Sequence, residues 1–398
     1  MTPRTSWMTL LGRCASLALA VAVVGVAAGC GGSGSSVAGP PNASGATPSP
    51  ASSASTVPFL SAPSGFHVTY VSKHVPGARF MAFAPSGDLV VAETDSGDVV
   101  VIPAGSSPDA SPSVFASGLA LPHGIAFFGS NLYVATYSGV VRYSYPSNAA
   151  TTLFSNMPQG SDHNRRSLAI AGDGSIFVSS GSDCNICDEG DVRFATVLHY
   201  GVGDAVGTIY ASGLRNASGL AFDAGGRLWA VVNQRDNIGP SQAITDNLPP
   251  DELDLLSSGA NFGWPQCYPN PSAANRLPNP EYAGAHCSGQ MPAALNFQAH
   301  SAPLGIVFYN AIQFPAGYRG SAFVAFHGSW NRSVRTGDKV VHVTFSGGMP
   351  ASYSDFITGW LQSGSYIGRP VGLAVGPDGA LYVSDDLLGS IYRVSYGP

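Results

Sequence analysis

A short phrase repeated six times constrains this chain more than any other feature. Its clearest copy, GLAVGPDGALYVS from Gly372 to Ser384, joins two apolar strands through a Pro-Asp-Gly turn. Asp-Gly between alternating apolar runs predicts a hairpin, because glycine takes the positive φ that a tight turn needs. Further copies read FMAFAPSGDLVVA from Phe80, GIAFFGSNLYVA from Gly124, SLAIAGDGSIFVS from Ser167, GLAFDAGGRLWAV from Gly219 and GIVFYNAIQFPAGYRGSAFVA from Gly305. Successive copies start 44, 43, 52, 86 and 67 residues apart, the length of a four-stranded propeller blade with insertions. Chance alternation gives one such hairpin, not six in register. The expected fold is all-β, a six-bladed β-propeller. FHVTYVS from Phe66 alternates as a strand ahead of the first complete hairpin, and the last copy is followed only by SIYRVSY. Residues 66–72 are therefore expected to form the outer strand of the last blade, which removes two sheet edges at once.

Ahead of the repeats the chain changes character. Arg4 and Arg13 form a charged n-region ahead of an apolar run from Cys14 to Ala28 that is too short to favour a permanent membrane span, so residues 1–30 read as a targeting signal. The run ends in VAAGC, and small residues directly before Cys30 resemble a bacterial lipobox, in which that cysteine is lipidated and becomes the mature N-terminus. The alternative is an ordinary secretory signal with Cys30 incidental. Residues 31–58 are Gly/Ser/Pro/Ala-rich and bury no core, which suits a flexible tether. The propeller domain is expected over 59–398. The expected location is the cell envelope outside the cytoplasm, with the membrane reached through the N-terminal lipid.

Cysteine usage agrees with an oxidising compartment. Cys184 and Cys187 share one loop, and Cys267 and Cys287 bracket a Pro/Asn-rich insertion, so two local disulfides are expected. A redox-active CxxC is the alternative, but no thioredoxin-like βαβ pattern surrounds it; a zinc site from these four cysteines is weaker still. The formal charge of −6 with no basic stripe argues against a nucleic-acid partner.

In a propeller, the loops entering each innermost strand and those joining second to third strands open on one face around the central channel. Before the six innermost strands come Arg79, His123, the run Asp162 to Arg166, Arg215-Asn216, His300 and Arg369. After the second strands come Glu93, Tyr137, the Cys184 loop, Gln234-Arg235-Asp236, the run His327 to Arg332, and Asp385-Asp386. An acidic protein thus gathers up to seven arginines on one rim, which argues for a polyanionic ligand held by planar, bidentate donors. Histidines converge there too, and histidine is the side chain most easily tuned as a base near neutral pH.

The same rim residues carry a resemblance. DHNRRSLAI, GLRNASGLAFD, VNQRDNIG, PPDEL, NFGWPQCY, HSAPLGIVFY, FVAFHGSWNRS, KVVHVTF and GRPVGLAVGPDGALYVSDD together resemble the PQQ-dependent sugar dehydrogenases, nearest the sorbosone and pyranose dehydrogenase branch, over residues 65–398. The resemblance implies PQQ and calcium as cofactors and hydride transfer from a sugar to the quinone. By it, His163 matches the general base that takes the sugar's hydroxyl proton. Arg215 and Asn216 match the pair at the quinone. Gln234, Arg235 and Asp236 match the calcium-binding turn, partly through backbone carbonyls, although Arg235-Asp236 stands where glucose dehydrogenase has Gly-Pro. Arg369 matches an arginine on a cofactor carboxylate, and Arg79, Trp330 and Arg332 are expected to line the same pocket. Electrons would leave to a cytochrome or quinone. PQQ carries three carboxylates, in keeping with the arginine rim.

Two other functions compete. A calcium-dependent lactonase-type hydrolase would need a cage of Glu, Asn and Asp at the channel mouth. A non-catalytic binding propeller would need no base at all.

Overall fold

The computed structural model describes residues 56–397. The targeting signal, Cys30 and most of the expected tether lie outside the described residues. Six sheets form the blades, each with four antiparallel strands and the third with a short fifth strand added in parallel, and the last is closed by Phe66–Ser72 paired with Ser390–Tyr396, as expected. Their innermost strands are Ala78–Phe83, Ile125–Phe128, Leu168–Ile170, Ala217–Phe222, Pro303–Tyr309 and Pro370–Val375. Second strands such as Leu89–Glu93 and Ile176–Ser180 are buried along their whole length, because each is covered by a neighbouring blade on both faces.

The core is divided accordingly. Six apolar clusters each fill one blade-to-blade interface: Leu132, Val134 and Val90 join blades 1 and 2, while Tyr392, Phe323 and Trp360 sit between blades 5 and 6. The glycine that opens most copies of the repeat has a packing reason. A Cβ on Gly372 would stand 2.5 Å from the Arg79 carbonyl oxygen of blade 1, and one on Gly219 would meet the Leu304 carbonyl of blade 5. Serines complete the seams: Ser384 Oγ donates to the Arg79 carbonyl at 2.6 Å while accepting the Gly372 amide at 2.8 Å. Inner strands therefore approach closely enough to leave a narrow channel whose mouth is built from loops.

Ordered structure starts earlier than composition suggests. Val57, inside the expected 31–58 tether, is buried, and its amide donates to Val68 at 3.1 Å. A single apolar side chain with a groove waiting for it outweighs the polar residues around it. Both disulfides form as expected, Cys184–Cys187 and Cys267–Cys287. The second closes an insertion that follows blade 4's third strand and lies beside blade 3, where Ala260–Asn261 pairs parallel to Thr208–Ser212. Among the described residues no helix is long and apolar enough to cross a membrane.

Candidate active site

Loops at the channel mouth aim their side chains by unusual backbone. His163 (φ 39°), Asn237 (55°), His300 (62°) and Ala302 (53°) all occupy the left-handed region, which non-glycine residues adopt only when their surroundings enforce it. All four sit in mouth loops. Two adjoining cavities of ≈ 160 and ≈ 580 Å³ share His163, Asn216, Asn233, Ala302 and Trp330, so they are one depression with two halves.

His163 lies on the floor shared by both halves. Its Nδ1 is 2.7 Å from the Ser182 carbonyl, an acceptor, so Nδ1 carries the proton and Nε2 keeps its lone pair. Gly181 makes room for this: a Cβ there would lie 2.5 Å from His163 Cβ. Burial, reinforced by the charge of Arg215, lowers the imidazole pKa to about 4. The ring is neutral at physiological pH, with one free basic nitrogen.

The smaller half is rich in oxygen. Arg215 forms its wall, tied through Nη1 to the Gln234 carbonyl at 2.9 Å, with its guanidinium 5.6 Å from the Trp264 ring centre. Asp251 is buried and accepts the Gln234 and Ala302 amides at 2.9 and 3.0 Å, joining the loops of blades 4 and 5; burial raises its pKa to about 6. Asp236 accepts Asn331 Nδ2 at 2.5 Å and stands 3.5 Å from His300 Nδ1. His300 Nε2 faces the Thr245 and Leu248 carbonyls at 2.6 and 3.0 Å. Burial alone would lower the His300 pKa, but Asp236 and Asp251 raise it. With both nitrogens turned to acceptors, His300 is no base.

The larger half is cationic. Arg79 pairs with Asp386 at 2.5 Å, and Asp386 also receives His327 Nε2 at 3.0 Å. Burial would raise the Asp386 pKa, but His327 and Arg79 hold it at about 2. Burial, aided by Arg79 and Arg369, lowers His327 to about 4 despite its carboxylate partner. Arg369 is held by the His327 and Gly328 carbonyls, each at 3.0 Å, and it faces the same space as Arg79, Arg165 and His123. Trp330, 72% exposed, overhangs both halves.

Of the residues singled out in the sequence, His163, Arg215, Asn216, Gln234, Asp236, Trp330, Arg79 and Arg369 meet in this depression. Three arginines do not. Arg166 is wholly buried on Tyr137, Ser180 and Pro158, so it does not flank His163 as its neighbour on the rim. Arg235 turns away into a bidentate pair with Glu281 at 2.5 and 2.9 Å, which limits any role at the turn to its backbone. Arg332 is bonded to the carbonyls of Asp246 and Ala299 and closes its own loop instead of lining the pocket. Asn331, in the rim run from His327 to Arg332, lines the site, as do Asn233 and Asp251, which the quoted motifs VNQRDNIG and PPDEL contain but for which no individual role was expected.

Four buried polar atoms around the depression lack a protein partner: Arg79 Nε and the side-chain carbonyl oxygens of Asn233, Gln234 and Asn331. Unmet buried groups of this kind mark a place for a ligand. Orphaned carbonyl oxygens on three residues that line the same half as Asp236 fit a hard, oxygen-seeking cation such as calcium. Arg79 and Arg369 across the floor fit carboxylates.

Buried neutral histidines also set an acid limit. His163, His327 and His342 are each lowered by burial to about 4. Between pH 6.5 and 4 the unfolded chain therefore binds protons that the fold refuses, and stability falls as the pH drops, by on the order of 3 kcal/mol per histidine. His123, also well lowered by burial, adds to this loss, while Asp251, raised to about 6, and Asp254, pushed well up, run the other way and offset part of it. Melting temperature is expected to fall as the pH drops from 6.5 to 4; a flat profile over that range would contradict it.

Fold and site together define a six-bladed propeller with a polar, two-sided ligand pocket at its channel mouth. The chain belongs to the TrAA12-like family, whose sequence model matches residues 60–397, and with it to the PQQ-dependent sugar dehydrogenase group that the motifs imply. A PQQ-dependent pyranose dehydrogenase of Coprinopsis cinerea is 28% identical over 234 residues, covering 47% of this chain and 31% of that relative, so the chain matches under a third of its length. The calcium structure of the Trichoderma reesei carbohydrate-active enzyme of family AA12 superposes with a TM-score of 0.73 at 23% identity, over 87% of this chain and 98% of the other. The holo form of the C. cinerea pyranose dehydrogenase PQQ domain gives 0.72 at 23% identity, over 84% and 97%. These two structural matches establish the fold.

Proposed function

We propose that the protein is a quinoprotein that oxidises an aldose or related sugar, with His163 as general base. The observation that carries this is the His163 tautomer: a neutral ring, proton fixed on Nδ1 by the Ser182 carbonyl, lone pair on Nε2, beside a buried guanidinium. PQQ would accept the hydride, with calcium polarising its quinone carbonyl. Arg79 and Arg369 would hold carboxylates, with Arg215 and Asn216 at the reacting edge and Gln234, Asp236 and the orphaned amide oxygens around the cation. Burial keeps these guanidiniums poorly solvated, so their charge acts strongly on an oxygen that becomes more negative during reaction. His163 Nε2 takes the hydroxyl proton of the sugar. Trp330 offers an apolar face above the pocket, which suits a flat ligand or a sugar ring. The similarity to the PQQ-dependent pyranose dehydrogenase of C. cinerea and to the holo form of its PQQ domain supports the PQQ and sugar assignments.

The test is an assay of the purified protein with PQQ, calcium, a panel of pyranoses and an artificial electron acceptor. Reduction of the acceptor that needs both PQQ and a sugar supports the reading; none with any sugar rejects it. A second reading rests on the acid–amide half of the pocket, where Asn216, Asn233, Asp236 and Asp251 resemble the calcium cage of a lactone hydrolase. It leaves Arg79 and Arg369 without a purpose, and lactone hydrolysis with calcium alone would reveal it.

The same proposal includes an envelope lipoprotein anchored through Cys30 that passes electrons to a cytochrome or quinone. Both disulfides fit an oxidising compartment. Cys30→Ser is expected to release the protein from membranes; retention there would place the anchor elsewhere.

A further inference from the structure

The loop from Gly181 to Cys187 contributes no reacting group, yet it touches three that matter. The Ser182 carbonyl fixes His163 Nδ1, and the Ser182 amide donates to the Arg215 carbonyl at 2.7 Å. Asn185 carries more. Its backbone carbonyl accepts Arg215 Nε at 3.1 Å and its Oδ1 accepts Arg215 Nη2 at 3.1 Å. The same Oδ1 accepts the Asp236 amide at 2.9 Å, while Nδ2 donates to the Asp236 carbonyl at 3.1 Å. One side-chain amide thus pairs with both backbone groups of Asp236, as a neighbouring strand would, and clamps the guanidinium beside it. Asn185 is itself held, because the Cys184–Cys187 disulfide closes the loop around it.

We propose that Asn185 is a positioning residue that locks Arg215 and the Asp236 turn into one unit. Only an amide of this length supplies an acceptor for two donors and a donor for the Asp236 carbonyl. Aspartate lacks the donor, and serine cannot span both partners. Without the Asn185 side chain, Arg215 keeps its bonds to the Asn185 and Gln234 carbonyls and its place by Trp264, so the fold survives while Nη2 and the turn lose the group that couples them. The consequence for catalysis rests on the function proposed above; the coupling itself does not.

The test compares Asn185→Ala, Asn185→Asp, Arg215→Ala and the double alanine variant. In Asn185→Ala the Asp236 amide is expected to exchange with deuterium roughly five- to tenfold faster, the worth of one hydrogen bond. Melting temperature should stay close to wild type. Asn185→Asp keeps the acceptor and should keep that amide protected. With PQQ and sugar, Asn185→Ala should lower kcat about 10- to 100-fold, the usual effect of removing a group that orients a reacting residue. In the Arg215→Ala background the same change should cost little more, since Asn185 acts through Arg215. Unchanged Asp236 exchange, or kcat losses that simply add, would overturn the proposal. Absence of PQQ-dependent turnover in the wild type would instead remove the function proposed above, and the exchange measurement would still decide the role of Asn185.

Discussion

His163→Gln is expected to lower turnover with an artificial electron acceptor by roughly two to four orders of magnitude, the contribution of a positioned general base. Glutamine preserves size and can still donate to the Ser182 carbonyl, but it cannot accept a proton at neutral pH. PQQ affinity should barely change, because Arg79 and Arg369, not His163, are the groups placed to hold its carboxylates. The pH dependence follows from the same environment. With its pKa lowered to about 4 by burial and then by Arg215, His163 stays in its basic form well below the range of an ordinary histidine. The acid limb of kcat/KM is expected near pH 4 to 5, not near 6.5. Near-wild-type turnover of His163→Gln would shift attention to His327, whose Nε2 is engaged by Asp386 but whose ring borders the same cavity.

Arg276→Met is expected to destabilise the protein by about 3–5 kcal/mol, the scale for breaking a buried ion pair on one side only. Arg276 and Glu252 are each 1% exposed and pair at 2.5 Å, with Asp254, wholly buried, 4.0 Å from the same guanidinium nitrogen. Two carboxylates share one cation, and burial with repulsion from Glu252 pushes the Asp254 pKa well up. Removing the cation leaves Glu252 without compensation. Glu252 also accepts Gln234 Nε2, so the loss reaches the pocket wall. Chemical denaturation measures the change. A shift below about 1 kcal/mol, typical of an exposed pair, would show that this one contributes little. Arg165 with Asp95 is such an exposed pair, and its removal should be near neutral.

The contrast between these arginines marks what the sequence discloses. The six blades were legible because each hairpin is local, and the opening glycines mark where neighbouring backbones meet. Ring closure by Phe66–Ser72 was legible because an unpaired edge needs a partner. Which loops face the channel followed from blade order. Side-chain direction within a loop did not. Arg166, Arg235 and Arg332 stand at rim positions in sequence, yet each bends back to local carbonyls or to Glu281, because long side chains follow the nearest unmet acceptor. Asn185 and Asp251 reach the site because distant loops converge, and neither has a spacing that would announce it. Val57 was hidden by polar neighbours although its one buried side chain and its amide bond to Val68 dock the segment.

The central claim is that the two halves of the pocket together hold a calcium-bound quinone. Calorimetric titration of the apoprotein with PQQ, in calcium and again with a chelator, tests it most directly. Saturable one-to-one binding at micromolar PQQ that weakens when calcium is removed is the predicted result. No binding at that concentration, with or without calcium, would leave the propeller intact and contradict its assignment as a quinoprotein.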